Sequence, residues 1–474
     1  VVHHPKNDDG SESASSLNRC SNTEPIAAIA TASGRGSIGV IRVSGADLQL
    51  FVTLVTGVAQ LTPRMASYVP IFDDDGSLID TTVVIYFQAP HSYTGEDVLE
   101  IQGHGGAAVL GLLLDRCLKI GKKIGLRLAE PGEFSLRAFL NDKIDLAQAE
   151  AVADLIEASS AAAAKAAAAS LSGAFSREVE VLAQQLEQVR TLVEATLDFP
   201  EEEIEFIEKY QVKDRLNNIH AQLATVLDVS RKSSSLKTGL KVVLAGEPNV
   251  GKSSLLNAIF GQDIAIVTDI AGTTRDRIRE TLDIDGVPII LTDTAGLRQT
   301  DDPIERIGIE RTWQAIKESD LILNILDVRD PVPLSHSWPS SVSLDGKDIL
   351  NVHNKCDLLD DLGSIKHKLS DLDLVVSAKS GVGIELLKTR ILEKAGRQLG
   401  DVSPWLGRTR HIHALEACSE HLNLAIEHAK LDDRVLDLLA EELRLAHDCL
   451  GSITGHTTAD DLLGKIFASF CIGK

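Results

Sequence analysis

The stretch GEPNVGKSS, Gly246 to Ser254, comes directly after the aliphatic run KVVLA and opens a helix-like run, SSLLNAIF. Its G-x-x-x-x-G-K-S spacing, set between a strand and a helix, is that of a phosphate-binding loop. Glycines let backbone N–H groups wrap the β-phosphate, Lys252 reaches the β/γ oxygens, and the Ser253 hydroxyl can ligate Mg2+. A Gly-rich turn arising by chance would lack that setting. Asn249, Val250, Gly251 and Ser254 complete the expected loop contacts. Three further motifs follow in order. DTAG (Asp293, Thr294, Ala295, Gly296) closes an aliphatic run and supplies an acid beside Mg2+ and a glycine amide for the γ-phosphate. NKCD, carrying Asn354, Lys355 and Asp357, has the form of the guanine-reading motif, whose carboxylate accepts from the base's N1–H and exocyclic amine. Ser377, Ala378 and Lys379 have the form of the second base-contacting loop. Adenine offers no matching donors, so the expected ligand is GTP.

The variable positions carry a second message. Many P-loop GTPases place a glutamine just after the DxxG motif to orient the attacking water, and use an arginine to neutralise transition-state charge. Here Leu297 follows Gly296 and can do neither. Asn249 can offer its amide oxygen to a monovalent cation near the phosphates, so that K+ stands in for the arginine charge. Taken alone, Asn249 reads first as a plain turn residue.

Outward from the loop, aliphatic runs (KVVLAG, PIILTDTAG, LILNILDV, DILNVHNKCD, LVVSA) alternate with helical stretches over residues 239–396, which predicts a doubly wound α/β domain with buried parallel strands. Ala/Leu/Glu-rich helical texture lies on both sides, at 142–238 and 397–474, with one expected interruption at DFPEEEIEF around Pro200. The economical architecture is a discontinuous all-α domain with the α/β domain inserted into it. Residues 23–141 mix short strands (PIAAIAT, GVIRVSG, TTVVIYF, DVLEIQGHGG) with one helical run, AAVLGLLLDRCLKIGKK, and so predict an α+β domain. Residues 1–22 are polar, with no apolar segment of a secretory signal, and are expected to be a disordered tail or an expression remnant. At the other end, Thr458 and Asp461 form a variant capping box. Leu462, Leu463, Ile466, Phe467 and Phe470 share one face of a final helix, so FASFCIGK is expected to be docked.

With 474 residues, 44% hydrophobic and 24% charged, the chain has the composition of a soluble multidomain protein. No apolar run is long enough to span a membrane. Six cysteines without CxxC spacing suit a reducing cytosol, so the expected location is cytoplasmic with an organellar matrix still open, and argue against a disulfide framework or zinc site. The balance of 47 basic against 69 acidic residues, net −22, works against broad nucleic-acid binding, so contact with RNA must use a local patch or another protein.

VTDIAGTTRD (Val267 to Asp276), DTAGLR and IERIGIER (Ile304 to Arg311) resemble the tRNA modification GTPases of the MnmE (TrmE) family. So do IATASGRGSIGVIRVSG, TGEDVLEIQGHGG, PGEFSLRAFLNDKIDLAQAEA and the terminal CIGK. The similarity runs from Thr23 to Lys474, apart from the loop around SHSWPSSVSLDGK. It implies K+-stimulated GTP hydrolysis accompanied by G-domain dimerisation. Asn249, Thr268, Ile270 and Thr273 would hold K+, Ser253 and Thr274 would hold Mg2+, and Asp269, Ala271 and Gly272 would complete the nucleotide-facing switch loop. Glu305 matches the family's water-orienting glutamate. The resemblance further implies an N-terminal homodimer that binds a 5-formyl- or 5,10-methylene-tetrahydrofolate through Arg42, Glu100, Lys143 and Lys474, with Cys471 as a candidate nucleophile or proton donor. Taken singly, these charges read as solvated and Cys471 as a buried hydrophobe. The implied reaction is addition of an aminomethyl-type group at C5 of wobble uridine in certain tRNAs, with an FAD-dependent MnmG (GidA) partner in a heterotetramer. Two other readings stay open on the residues: a non-modifying GTPase switch or RNA assembly factor, and a folate sensor that transfers nothing.

Overall fold

The computed structural model describes residues 24–32, 34–198, 211–247, 249–260, 279–284, 287–293, 316–317, 319–329, 347–359, 373–394, 403–431, 435–457, 460–470 and 472–473. By contacts they form two units. One holds the described residues up to Ala153 together with those from His447 onward, and the other runs from Asp154 to Ala446.

The first unit is built on a six-stranded sheet. Its strands are β1 (Ile26–Ile29), β2 (Ile38–Gly45), β3 (Ser67–Phe72), β4 (Leu78–Phe87), β5 (Asp97–His104) and β6 (Arg127–Leu128), in the order β3-β4-β5-β2-β1-β6. All neighbours are antiparallel except β1 and β6. β4 alternates strictly between buried and partly exposed residues, the period of a strand with one core face. Helices α1 (Gln49–Thr56) and α2 (Ala107–Gly121) cover that face. In α2, Leu110, Leu113, Cys117 and Gly121 make one buried stripe, packed with Ile41, Val43, Val84, Leu99 and Ile101 of the sheet and Phe51 of α1. The four strands and the α2 run expected from the sequence are present. Strands β3 and β6 and helix α1 were not legible. β3 is an edge strand carrying Pro70, and only an edge tolerates a residue without N–H.

Helix α3 (Glu133–Leu140) carries a buried ionic chain. Arg137 binds Glu96 at 3.0 Å and Glu133 at 2.9 Å, and Arg127 binds Glu133 at 2.7 Å. Burial alone would raise the Glu133 pKa. Hydrogen bonds from Arg127, the Glu130 N–H side of the turn and Arg137 outweigh it, and the carboxyl stays below its ordinary value. Helix α4 (Leu146–Glu157) follows, opened by a reciprocal cap in which Gln148 N donates to Asp145 Oδ1 and Asp145 N to Gln148 Oε1.

In the second unit α5 (Ala161–Leu171), α6 (Ala174–Asp198) and α7 (Val212–Thr238) precede a second six-stranded sheet. The interruption expected around Pro200 lies outside the described residues, and among those described the helical texture breaks at two further places. Ser160 caps α5 by accepting from Ala163 N, and Gly173, at φ +82°, ends it before α6 begins. The sheet contains β7 (Leu240–Ala245), β8 (Arg279–Ile284), β9 (Val287–Asp293), β10 (Leu321–Asp327), β11 (Asp348–Asn354) and β12 (Asp373–Val375), in the order β12-β11-β10-β7-β9-β8. Every pair is parallel except β8 on β9. Helices α8 (Lys252–Phe260) and α9 (Ile384–Lys394) complete an α/β domain with a near-continuously buried central strand β7. The chain then forms α10 (Thr409–Lys430), which packs along α7, and α11 (Leu436–Thr454).

The return into the helices is clasped. Trp405 Nε1 donates to Ser230 Oγ, Leu406 N to Ser170 Oγ and Gly407 N to Ser233 Oγ. Beside them Asp154, 3% exposed, takes Lys237 Nζ at 2.5 Å and a two-pronged grip from Arg408 at 2.7 and 2.8 Å. Asp154→Ala leaves two cations facing each other without their anion. It is expected to lower stability by about 3–5 kcal/mol, read as the shift of the denaturant midpoint. An unchanged midpoint would show that water replaces the carboxylate at no cost.

The last helix, α12 (Asp460–Ala468), belongs to the first unit. Leu463, Phe467 and Phe470 are buried against Leu136, Leu146 and Ala149, with Ile466 packed alongside, which is the apolar face expected for a docked tail. Thr458 of the expected capping box lies outside the described residues.

Candidate functional site

The nucleotide motifs converge at the C-terminal ends of parallel strands, beside β7, where the sheet order switches direction between β10 and β9. Open α/β sheets bind ligands at that point. The phosphate-loop segment leaves β7 at Gly246, whose φ of +148° and proximity to Ile325 exclude a side chain: a Cβ would lie 2.3 Å from the Ile325 carbonyl oxygen. Lys252, 9% exposed, donates Nζ to the Gly246 and Glu247 carbonyls at 2.9 and 3.0 Å. The loop is therefore curled around its own cation. Binding a phosphate requires exchanging these bonds for oxygens of higher charge, which is favourable. Ser253 and Ser254 sit exposed in the first turn of α8, where unsatisfied N–H groups and the helix dipole favour an anion.

The base-reading segments are tied to this loop and to each other. Asn354, ending β11, donates Nδ2 to the Val250 carbonyl at 2.9 Å and accepts from Ala378 N at 3.0 Å. Asp357 accepts from Ser377 Oγ at 2.6 Å, which leaves its other oxygen outside that bond. Lys355, at φ +69°, donates to the Asn249 carbonyl at 2.6 Å and to Asp327 at 2.9 Å. β12 is only three residues long, and side chains hold its register: Asn324 donates to Asn351, and Asn351 to Asp373. Asn249, Asn354, Lys355, Asp357, Ser377 and Ala378 are thus brought into one connected cluster. Asp327 was not singled out from the sequence. Its only signal there is an acid closing the aliphatic run LILNILD.

In the first unit Arg42 on β2 lies directly opposite Glu100 on β5, and its Nε and Nη2 both donate to Glu100 Oε1, at 3.0 and 2.8 Å. The guanidinium carbon stands 5.6 Å from the Tyr93 ring centroid and 5.8 Å from that of Phe134. Arg42 Nη1 reaches the Gly473 carbonyl at 3.5 Å, so the end of the chain arrives at this cation. Burial raises the Tyr93 phenol pKa, offset in part by its Ser135 hydrogen bond and by Arg42. Tyr93 and Phe134 were not anticipated, because an aromatic flanking a cation has no sequence spacing to betray it. Lys143 packs against Gly95 and lines a groove of about 420 Å³ with Phe139, Ile144, Gln148 and His456.

Residues 146–471 match the family model of the MnmE helical domain, and residues 25–143 that of the GTP-binding protein TrmE N-terminus. The chain belongs to the MnmE family of tRNA modification GTPases. It is 57% identical over 455 residues to the tRNA modification GTPase MnmE of Bordetella avium, covering 95% of this chain and 99% of the relative. It is 54% identical over 462 residues to that of Ralstonia nicotianae, covering 95% and 97%. The G domain of the T. maritima FeoB iron transporter aligns at 28% identity over 33% of this chain and 98% of that one, with a TM-score of 0.26. The α/β assignment rests on the strand order above. As a MnmE-family member the protein is a GTPase of tRNA modification. Its fold joins an α+β N-terminal domain, a discontinuous helical domain and an inserted P-loop α/β domain.

Several sequence-derived residues of this MnmE-family chain fall outside the described set: Thr268, Asp269, Ile270, Ala271, Gly272, Thr273, Thr274, Thr294, Ala295, Gly296, Glu305, Cys471 and Lys474. For Asp293 the backbone is placed, at the end of β9 opposite Leu244 of β7 and so next to the loop. Cys117, Cys356 and Cys418 are buried, and burial pushes the Cys117 thiol up to about 12, which removes it from thiolate chemistry. No described helix is long and apolar enough to cross a membrane.

Proposed function

We propose that the protein couples K+-stimulated GTP hydrolysis to C5 modification of wobble uridine in certain tRNAs. It would act with an FAD-dependent MnmG (GidA)-type partner, as a homodimer through residues 23–141 within a heterotetramer, in the cytoplasm. The domain limits read from the sequence, 142–238 and 397–474 around 239–396, are retained in this reading. Its main support is the connected cluster of phosphate-loop and guanine-reading residues in a chain 57% identical to a tRNA modification GTPase over 95% of its length.

The residue types at these positions suit the expected ligands. Ser253 offers a hard oxygen at the start of α8, suited to Mg2+, with Thr274 as its family-matched partner. Asn249, with Thr268, Ile270 and Thr273, makes a set of neutral hydroxyl, carbonyl and amide oxygens, appropriate for a monovalent cation. K+ there supplies the positive charge that Leu297 cannot. Glu305 orients the attacking water. The Arg42–Glu100 pair, with the Tyr93 and Phe134 rings beside Arg42, presents a donor–acceptor edge and π faces to a pterin such as 5-formyl- or 5,10-methylene-tetrahydrofolate. Lys143 and Lys474 offer charge to the ligand's carboxylates, and the docked α12 supports delivery of Cys471 to the same place. Hydrolysis serves as a switch of domain order and distance, separate from the one-carbon chemistry.

The test is GTP turnover in K+ against Na+ at equal ionic strength. K+ is expected to stimulate at least about tenfold, and Asn249→Ala to abolish the difference. Equal rates in both salts would sink the cation assignment and favour a plain GTPase switch.

A further inference from the structure

Among the described residues, five non-glycine residues have positive φ: Arg64, Asp142, Gln211, Asn249 and Lys355. Two of them, from segments more than a hundred positions apart, are joined to each other. Lys355 Nζ donates to the carbonyl of Asn249 at 2.6 Å. Left-handed backbone is costly for a residue with a Cβ and persists where the surroundings over-determine it. The contact that over-determines this pair ends on Asp327, which accepts from the same Nζ at 2.9 Å. Asp327 is itself fixed. It closes β10 in register with Asn354, and the next residue, Val328, donates its N–H to the Asn354 carbonyl at 3.0 Å. Its two oxygens also take Arg329 Nε at 2.9 Å, Nη2 at 2.7 Å and the Arg329 N–H at 3.1 Å.

We infer that Asp327 is a positioning residue that couples guanine recognition to the monovalent-cation position: through Lys355 it sets the peptide of Asn249. This rests on the K+ reading given above and adds a residue to it. The ammonium of Lys355 is shared between a carboxylate and a loop carbonyl. Without the carboxylate, the ammonium turns toward solvent and the Asn249 peptide loses its anchor. Arg329 grips the same carboxylate with its side chain and N–H, and its charge is also felt by Asp357 of the base-reading loop, so it helps to hold the acid in place. The Arg329 bonds outweigh the cost of burial and, with Lys355, hold the Asp327 carboxyl well below the usual range.

The experiment measures, on the full chain, the K+ concentration for half-maximal GTP turnover at constant ionic strength and the release rate of a fluorescent GDP in Na+ alone. Asp327→Ala and Lys355→Met are each expected to raise the K+ midpoint by about tenfold and to speed GDP release by a similar factor, the size of one charge-assisted hydrogen bond. The double variant is expected to be no worse than either single one. Additive effects, or an Asp327→Ala protein with both readouts unchanged, would overturn the link. A wild type indifferent to K+ would overturn the cation half together with the reading it rests on, and the GDP-release cycle would still decide whether Asp327 positions the base-reading loop.

Discussion

Asp357→Asn is expected to weaken GTP binding by about a thousandfold and to create affinity for the xanthosine nucleotide. Guanine turns two donors, N1–H and the exocyclic amine, toward the base-reading loop, and a carboxylate accepts both. One Asp357 oxygen is steadied by the Ser377 hydroxyl at 2.6 Å, so the group is oriented before any ligand arrives. An amide in its place sets a donor against a donor. The lost hydrogen bonds and the unpaired polar groups add up, since a site built to satisfy a polar edge rejects its mismatch strongly. Xanthine carries a carbonyl where guanine carries the amine, and so restores the match. Equilibrium titration with fluorescent GDP and XDP reads both halves. Undiminished GDP affinity in the variant would show that Asp357 does not face the base.

Gly132→Ala is expected to undock the C-terminal helix and cost about 3 kcal/mol in the first unit, with nucleotide binding untouched. Gly132 has φ +69°, and a Cβ there would lie 2.3 Å from the Phe467 carbonyl oxygen and 3.1 Å from Phe470 Cβ. The left-handed backbone penalises alanine by itself. The clash is with main chain, which no rotamer change relieves. Relief requires moving α12, and with it the buried faces of Leu463, Phe467 and Phe470. Hydrogen exchange should then show lost protection over residues 463–470, while fluorescent GDP binds as in the wild type. Normal protection in the variant would mean that α3 yields instead. If the folate and Cys471 assignments hold, uridine modification falls with the protection, because the end of the chain no longer reaches Arg42.

The parts of the fold that were legible share a local cause. The α/β domain was readable because a parallel strand buried on both faces must be aliphatic almost throughout, as LKVVLA of β7 is, and because a phosphate loop needs its glycines at fixed offsets from its lysine. The α2 stripe and the apolar face of α12 were readable because helical period writes burial into spacing. Edge strand β3 and helix α1 were not. Ser67–Phe72 contains a proline, and Gln49–Thr56 is rich in Val and Thr, residues whose local preference is extended. Burial of Phe51, Val52 and Val55 against the sheet overrides that preference. The breaks at Ser160 and Gly173 lay in a run so rich in alanine that composition masked its caps.

By itself, then, the sequence determined the class of nucleotide, the order of the motifs and the family, because these depend on residue types at short spacings that the chain carries with it. Tertiary structure alone decided which of those residues meet. Lys355 joins Asn249, Asp357 joins Ser377, Arg42 joins Glu100 across two strands, and Gly473 comes to rest at Arg42 from more than four hundred residues away. Lys143 comes against Gly95 and lines a groove with Phe139 and His456. Such pairings are set by strand register and by the packing of helices onto sheets. A one-residue slip in register moves every side chain to the other face, and nothing in a local stretch of sequence records the partner strand.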